Sequence, residues 1–244
     1  MAYICAIFKD EGAYLEEWLA WHRLAGFTHF FLYDNDSTDG WTNTHDDVNV
    51  MPWPGVCMQL PAYEHLCVQL KKTEPDEWVA FIDCDEFLYH PDHVNIVEML
   101  PSTSSRVQHQ LVNKVIVPWR VFGWKPHVTI PPGGVVENYC WRAKDDVEFH
   151  SSEVGGKVIV RIGYAYGWLT PHHVTSDGLT WIDSGILCNH YWTKSKEEAQ
   201  KKFARPRADN GRVRTSKEVE KLMSQMNDVQ DDRLASLWRT YARH

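Results

Sequence analysis

Apolar residues open the chain as a short continuous run, residues 3–8, which ends at the polar turn Lys9-Asp10-Glu11-Gly12. A run of that length predicts a strand. From residue 13 to 25 the spacing changes. Leu15, Trp18, Leu19 and His22 recur at i, i+3, i+4 and i+7, the buried stripe of a helix, and Gly26 suits its C-terminal stop. A second strand is predicted over 29–33, running into the acidic turn Asp34-Asn35-Asp36-Ser37-Thr38-Asp39-Gly40. Residues 41–55, rich in Asn, Asp and Pro, predict loop. A second helix is expected over 62–72, with Tyr63, Leu66, Cys67 and Leu70 on one face. The continuous apolar run 78–82 then predicts a central strand covered on both sides, ending at Asp83. Strand, helix, strand, helix, strand is the pattern of a largely parallel α/β sheet, whose binding crevice lies beyond the carboxyl ends of its strands.

Beyond Asp92 the pattern loosens. A short helix is expected over 95–100, strands over 111–122, 157–162 and 185–192, and loop at the Pro/Gly patch 131–134. Ser195-Lys196-Glu197-Glu198 and Thr215-Ser216-Lys217-Glu218 both match the capping box that opens a helix. The second of these helices is expected to run from residue 216 nearly to the C-terminus. The expected organisation is one α/β domain over 1–205 and a C-terminal helical extension over 206–244.

With 244 residues, 43% hydrophobic and 24% charged, the chain can bury a substantial core as a globular protein. Its formal net charge of −8 argues against a nucleic-acid surface, which must neutralise phosphates. The basic stretch 194–214 is a local exception that could meet an anionic substrate or, peripherally, a membrane surface. The cysteines (Cys5, Cys57, Cys67, Cys84, Cys140, Cys188) include no C-x-x-C pair, so a structural zinc is not expected. The start lacks the basic and apolar regions of a signal peptide, and no run approaches the ~20 apolar residues that span a bilayer. The expectation is a reduced cytoplasmic protein without a transmembrane segment, its cysteines serving as small apolar fillers.

The strongest chemical signal is Asp83-Cys84-Asp85-Glu86. Three acids at the end of a buried strand repel one another unless something positive joins them. A hard divalent cation takes oxygen ligands and can bridge phosphate oxygens. The bland alternative is an acidic turn that caps a following helix. The turn 34–39 ends the neighbouring strand, where a carboxylate can accept from a base N–H or a ribose hydroxyl, or can simply form an Asx turn.

Three blocks, KDEGAYLEEWLAWHRLAGFTHFFLYDNDSTDG, WVAFIDCDEFL and NHYWTKSKEEAQKK, resemble glycosyltransferase family 92 and its family 2-type bacterial relatives, in the expected order over roughly residues 3–202. The resemblance implies a GT-A fold, a Rossmann-like mixed sheet flanked by helices. It also implies a nucleotide-sugar donor (UDP-hexose, often UDP-galactose), Mn²⁺ or Mg²⁺, inversion at the anomeric carbon, and a glycan, lipid-linked or other hydroxyl acceptor. On it, Lys9, Glu11, Asp34, Asp36, Asp83 and Lys194 would bind the nucleotide sugar, Asp34 and Asp36 at the uridine and Lys194, or the basic helix after it, at the diphosphate. Asp83, Asp85 and His190 would hold the metal, with Asp85 the preferred direct ligand of the two acids. Glu137 would be the general base, chosen over Asp145, Asp146, Glu148, Asp177 and Asp183. The chain departs from the family at Asp10, where Asn is common, at 122–127, at Asn138, where Arg usually follows the acid, and in the tail 203–207.

Two other enzyme classes share parts of this pattern. A haloacid-dehalogenase-type phosphatase also ends a strand in D-x-D, but Phe87 stands where Thr or Val is usual. A sugar-1-phosphate nucleotidyltransferase begins with a Gly-rich loop, which Lys9-Asp10-Glu11-Gly12 is not. A catalytically silent carbohydrate- or nucleotide-binding module would not need the acids and His190 intact.

Overall fold

The computed structural model describes residues 1–102, 104–107, 109–145, 156–182, 184–206 and 211–242. Its elements in chain order are β1 (Ala2–Phe8), α1 (Gly12–Leu24), β2 (His29–Asp34), β3 (Val48–Pro52), α2 (Gln59–Thr73), β4 (Trp78–Phe81), β5 (Glu86–Tyr89), β6 (Arg106–Val107) and β7 (Gln110–Val121). There follow α3 (Val135–Asn138), β8 (Trp141–Arg142), β9 (Gly156–Arg161), β10 (Ala165–Thr170), β11 (His173–Ser176), β12 (Leu179–Trp181), β13 (Leu187–His190), α4 (Lys196–Phe203), α5 (Ser216–Ser224), β14 (Val229–Gln230) and α6 (Arg233–Tyr241).

Among the described residues the main sheet has the order β3-β2-β1-β4-β9-β7-β13-β5, with β6 and β12 also on β7. β1 to β4 are mutually parallel; β9 runs antiparallel to both β4 and β7, and β13 runs parallel to β7. One reversed strand therefore joins two co-directional blocks, so β1, β2, β4, β7 and β13 all end at one edge of the sheet. The architecture is the expected mixed α/β sheet flanked by helices.

Alternation along the strands divides the core between two faces. Ile4, Ala6, Phe30 and Ala80 pack with Leu15, Trp18 and Leu19 of α1. Tyr3, Cys5, Val79 and Phe81 pack with Tyr63, Leu66 and Leu70 of α2. All four residues of β4 are buried, as its unbroken apolar run predicts. Burying a large apolar side chain contributes on the order of 1.5–3 kcal/mol, so α1 and α2 are held by these stripes rather than by helix propensity.

α1 also closes an edge of the sheet. β5 pairs with β13 on one side only. On its other side Trp18 Nε1 donates to the Glu86 carbonyl (2.8 Å) and Trp21 Nε1 to the Leu88 carbonyl (2.7 Å), while the Leu88 amide donates to His22 Nε2 (3.2 Å). Three aromatics spaced along one helix thus occupy the backbone groups that another strand would otherwise take.

Several expectations need correction. Residues 48–52 form β3, not loop: an edge strand needs no buried alternation, and here four of its five residues are exposed. Residues 95–100 contain only a 3-10 turn, Val97–Met99. The long helix expected from 216 breaks into α5 and α6. Between them β14 pairs with β8, and buried Asp231 binds Arg142 (2.7 Å). Side chains of the Asn227-Asp228…Asp231-Asp232 run compete with the helical backbone. Leu234 and Ala235 of α6 lie in the same core as the sheet. The hairpin β10–β11 and strand β12 carried no sequence expectation. Both capping boxes are present. Among the described residues no helix is long and apolar enough to cross a membrane, and the six cysteines are free thiols.

His22 yields a stability prediction. Its Nδ1 lies 2.8 Å from the Trp18 carbonyl, which can only accept, while Nε2 accepts from Leu88; the ring is neutral, and burial drives its pKa down to about 3. A base depressed on folding contributes stability that is complete above its unfolded pKa near 6.5 and is lost as the pH falls. The stability advantage of the wild type over His22→Leu should therefore be largest above pH 6.5. It should shrink by about 1.4 kcal/mol per pH unit between 6.5 and 4.5, as read by urea unfolding at a series of pH values.

Candidate active site

The strand ends surround a cavity of about 440 Å³, within the range of small-molecule sites. One wall comes from the ends of β1 and β2 and the turn before α2, with Ile7, Phe8, Asn35 and residues 55–58. The floor is Asp83-Cys84-Asp85 with Gln59. Another wall is aromatic: Trp119 of β7, His172 before β11, His190 at the end of β13, and Trp192. Lys202 of α4, Arg205 and Arg214 complete it, and Lys9 and Glu11 also line it.

Two locked turns shape the β1–β2 side. Asp10, in the left-handed region at φ 56°, accepts from the Thr38 amide (2.7 Å) while its own amide donates to Ser37 Oγ (3.0 Å). Asp39 accepts from the Gly12 amide (2.7 Å), and Asp34 accepts from the Ser37 amide (2.9 Å). Asp34 and Asp36, expected at the uridine, do not line the cavity; Asn35 between them does. Asp34 is instead turned onto its own loop through the Ser37 amide, three residues on. Asn35 Nδ2 donates to the carbonyls of Trp53 (2.8 Å) and Gly55 (2.9 Å), fixing that wall.

The acidic cluster is resolved by position. Asp83 accepts from Gln59 Nε2 (2.7 Å) and from Lys157 Nζ (2.9 Å). Glu86 has no exposed surface; its Oε2 accepts from the Asp83 amide (2.8 Å) and lies 3.3 Å from Lys157 Nζ, and its Oε1 accepts from Trp119 Nε1 (2.8 Å). Burial pushes the Glu86 carboxyl up to about 7, with the Lys157 ammonium pulling against it. Lys157 is itself wholly buried. Desolvation disfavours its charge, but Asp83 and Glu86 outweigh that and hold it well above the usual lysine range. Asp85 is buried as well; desolvation pushes it up, yet Lys202 and His190 more than offset this and hold it well below the ordinary carboxylate range. Its Oδ2 pairs with Lys202, and its Oδ1 lies 3.4 Å from His190 Nε2.

These residues fit a divalent cation in a restricted way. Asp85 Oδ1 and His190 Nε2 converge at a separation compatible with two ligands of one ion. Among the described residues His190 Nδ1 is buried without a hydrogen-bond partner. Asp83, expected as a ligand, has both oxygens engaged by Gln59 and Lys157. Among the described residues no group of three or more His, Cys, Asp or Glu side chains closes on a point. A hard cation here would take two protein ligands and complete its shell from phosphate oxygens and water.

Lys194 and Glu137, also expected in the site, lie outside the cavity lining. Lys194, at φ 49°, pairs with Glu11 and stands 4.1 Å from the Tyr14 ring; it does not line the cavity. Glu137, the expected base, is not brought to the cavity: it lies on α3, which packs on α6, and its carboxylate is 3.3 Å from Arg239. Asp145 pairs with Arg142 (2.8 Å) and Arg120 (3.3 Å), and Asp177 accepts from the Tyr166 hydroxyl. Asp146, Glu148, Asp183 and Arg207 lie outside the described residues. Sequence reasoning missed Gln59, Lys157, Trp119 and His172. Lys157 had a partial signal, a cation at the start of the apolar run Val158-Ile159-Val160. His172 had none; its Nδ1 donates to the Gly156 carbonyl (3.1 Å) and its ring meets Trp119 edge-on.

The family model of glycosyltransferase family 92 matches residues 3–218. The chain belongs to glycosyltransferase family 92. Its family 92 relatives include a protein of Oryza sativa subsp. japonica, 28% identical over 222 residues, covering 87% of this chain and 35% of the relative. One from Ricinus communis is 27% identical (83% and 37% covered), and one from Arabidopsis thaliana 25% identical (83% and 37%). The chain spans about a third of the length of the curated relatives it matches. The mixed sheet with its cavity at the strand ends is consistent with a glycosyltransferase fold.

The Lys157 arrangement of this family 92 chain makes a sharp prediction. Removing one member of a buried ion pair strands the other charge, at a cost of about 3–5 kcal/mol. Lys157→Met should lose about that much stability in urea unfolding, and Lys157→Met/Glu86→Gln should regain part of it, because Gln needs no counter-ion.

Proposed function

We propose that this chain is a metal-dependent GT-A glycosyltransferase that moves a hexose from a nucleoside-diphosphate donor, UDP-linked, to a hydroxyl of a glycan or lipid-linked acceptor with inversion. The observation that carries this is the presence of both charge signs in one cavity. Asp85 and His190 offer ligands for a cation, and Lys9, Lys202, Arg205 and Arg214 offer charge to an anion. A nucleic acid would call for the cations without the acids, and a bare cation site for the acids without the cations.

The chain's residues divide the work by chemistry. Ile7, Phe8 and the 55–58 turn give apolar walls suited to the faces of a base, and the amide of Asn35 stands beside them. The aromatic wall of Trp119, His172 and Trp192 suits the C–H face of a sugar. Lys202 and Arg205 line the same cavity and would take the negative charge of a diphosphate. A bound Mn²⁺ or Mg²⁺ would supply Lewis-acid stabilisation of the leaving diphosphate, worth several kcal/mol. Asp83, held by Gln59 and Lys157, supports this centre from below.

With Mn²⁺ present, UDP should raise the melting temperature, by the equivalent of about 2.7 kcal/mol at a hundred times its dissociation constant. Asp85→Asn should abolish the shift and lower transfer, or donor hydrolysis, by at least about 100-fold. If neither UDP nor GDP shifts the melting temperature with or without Mn²⁺, the reading is overturned.

A further inference from the structure

Glu86 is the third acid of the cluster and the one that no part of the proposed reaction uses. It opens β5, and its Cα partner in the antiparallel ladder is His190 at the end of β13. The backbone register therefore sets these two side chains side by side. Glu86 Oε1 lies 3.7 Å from His190 Nδ1, the buried ring nitrogen without a hydrogen-bond partner among the described residues; the opposite nitrogen, Nε2, faces Asp85 Oδ1, and His190 lines the cavity. Two tryptophans flank the imidazole, Trp119 at 4.9 Å and Trp192 at 5.9 Å between ring centroids.

Glu86 cannot itself reach a ligand, because it is wholly buried and its oxygens face inward donors. Lys157 and the Asp83 amide hold Oε2, and the Trp119 indole holds Oε1. Each of these donors favours the carboxylate over its acid, against the burial that disfavours the charge, and in the carboxylate form the lone pairs of Oε1 face Nδ1 as acceptors only. The charged groups around the ring are Asp85 at Nε2, Glu86 at Nδ1, and, behind them, Lys202 on Asp85 and Lys157 on Glu86.

We propose that Glu86 is a positioning residue that places the Nδ1 proton of His190 toward itself and so presents Nε2, beside Asp85, as a cation ligand. The inference rests on the metal-dependent reading above. A histidine ligand whose far N–H meets a carboxylate is fixed in tautomer and orientation and is more basic. Loss of such a partner typically costs 10–100-fold in metal affinity.

The test uses Mn²⁺ itself, titrated into the full chain and followed by the electron paramagnetic resonance of free Mn²⁺, in the presence of UDP. Glu86→Gln should weaken Mn²⁺ binding by about 10–100-fold. In a His190→Ala background the same substitution should change it less than about twofold, since coupled residues depart from additivity. Equal Mn²⁺ affinity in wild type and Glu86→Gln overturns the proposal, as does an equally large loss in the His190→Ala background. A second readout needs neither metal nor variant: nitrogen NMR of ring-labelled histidine in the wild type should show His190 Nδ1 protonated at pH 7.5, and an unprotonated Nδ1 overturns the proposal even if Glu86→Gln fails to fold. Should the wild type bind no Mn²⁺ while Nδ1 is protonated, the metal dependence falls and the positioning of His190 by Glu86 stands.

Discussion

One buried ammonium makes the acidic centre possible. Asp83 and Glu86 lie at the end of a central strand and the start of an edge strand, where burial drives the Glu86 carboxyl toward its neutral form. Lys157 reaches them from the neighbouring antiparallel strand, with no exposed surface of its own. An isolated charge in such a place would cost several kcal/mol; two carboxylates and one ammonium, each hydrogen-bonded or paired, offset one another. The reversed direction of β9 matters here. A parallel strand in the same position would deliver its first residue to the opposite edge of the sheet, and the acids would have no internal cation.

This division assigns the three acids different work. Asp83 is committed to Gln59 and Lys157, Glu86 to Lys157 and Trp119, and Asp85 faces the cavity with His190 and Lys202. The partners come from distant parts of the chain, including Gln59 on α2, Lys157 on β9, His190 on β13 and Lys202 on α4, so the centre is assembled only when the whole sheet has formed. Tyr14 of α1 donates to Glu198, whose own role in the Ser195 capping box fixes the start of α4. The helix that carries Lys202 is thereby anchored at the end away from the cavity.

The parts of this arrangement that follow local rules were legible in the sequence. Unbroken apolar runs marked β1, β2 and β4, a 3.6-residue stripe marked α1, and the capping boxes marked α4 and α5. D-x-D at a strand end marked the floor of the site, and His190 was placed there by resemblance. The parts that depend on non-local pairing were not legible. β3 has one buried residue in five and reads as loop. The break between α5 and α6 depends on Asp231 meeting Arg142, 89 positions away. Asp34 and Asp36 read as ligands because an acidic turn at a strand end has one appearance whether it meets a ribose or its own backbone, and the contact of Asp34 with the Ser37 amide (2.9 Å) is visible only in the folded loop. Glu137 was chosen by resemblance, and Arg239 lies near it because α6 folds back onto α3, which no spacing rule foretells.

The three aromatic side chains of α1 that meet β5 have a consequence for self-association. A sheet can grow by accepting a further strand wherever a row of backbone donors and acceptors is left open. At β5 those groups are already held by two indoles and an imidazole, so that border is sealed by side chains rather than by charge or proline. The opposite border, β3, has no such cover among the described residues. It is short, four of its five residues are exposed, and it ends in Pro52, which has no amide proton to offer. Two copies of this sheet that joined edge to edge through β3 would keep the cluster of acids beside β5 clear of the seam.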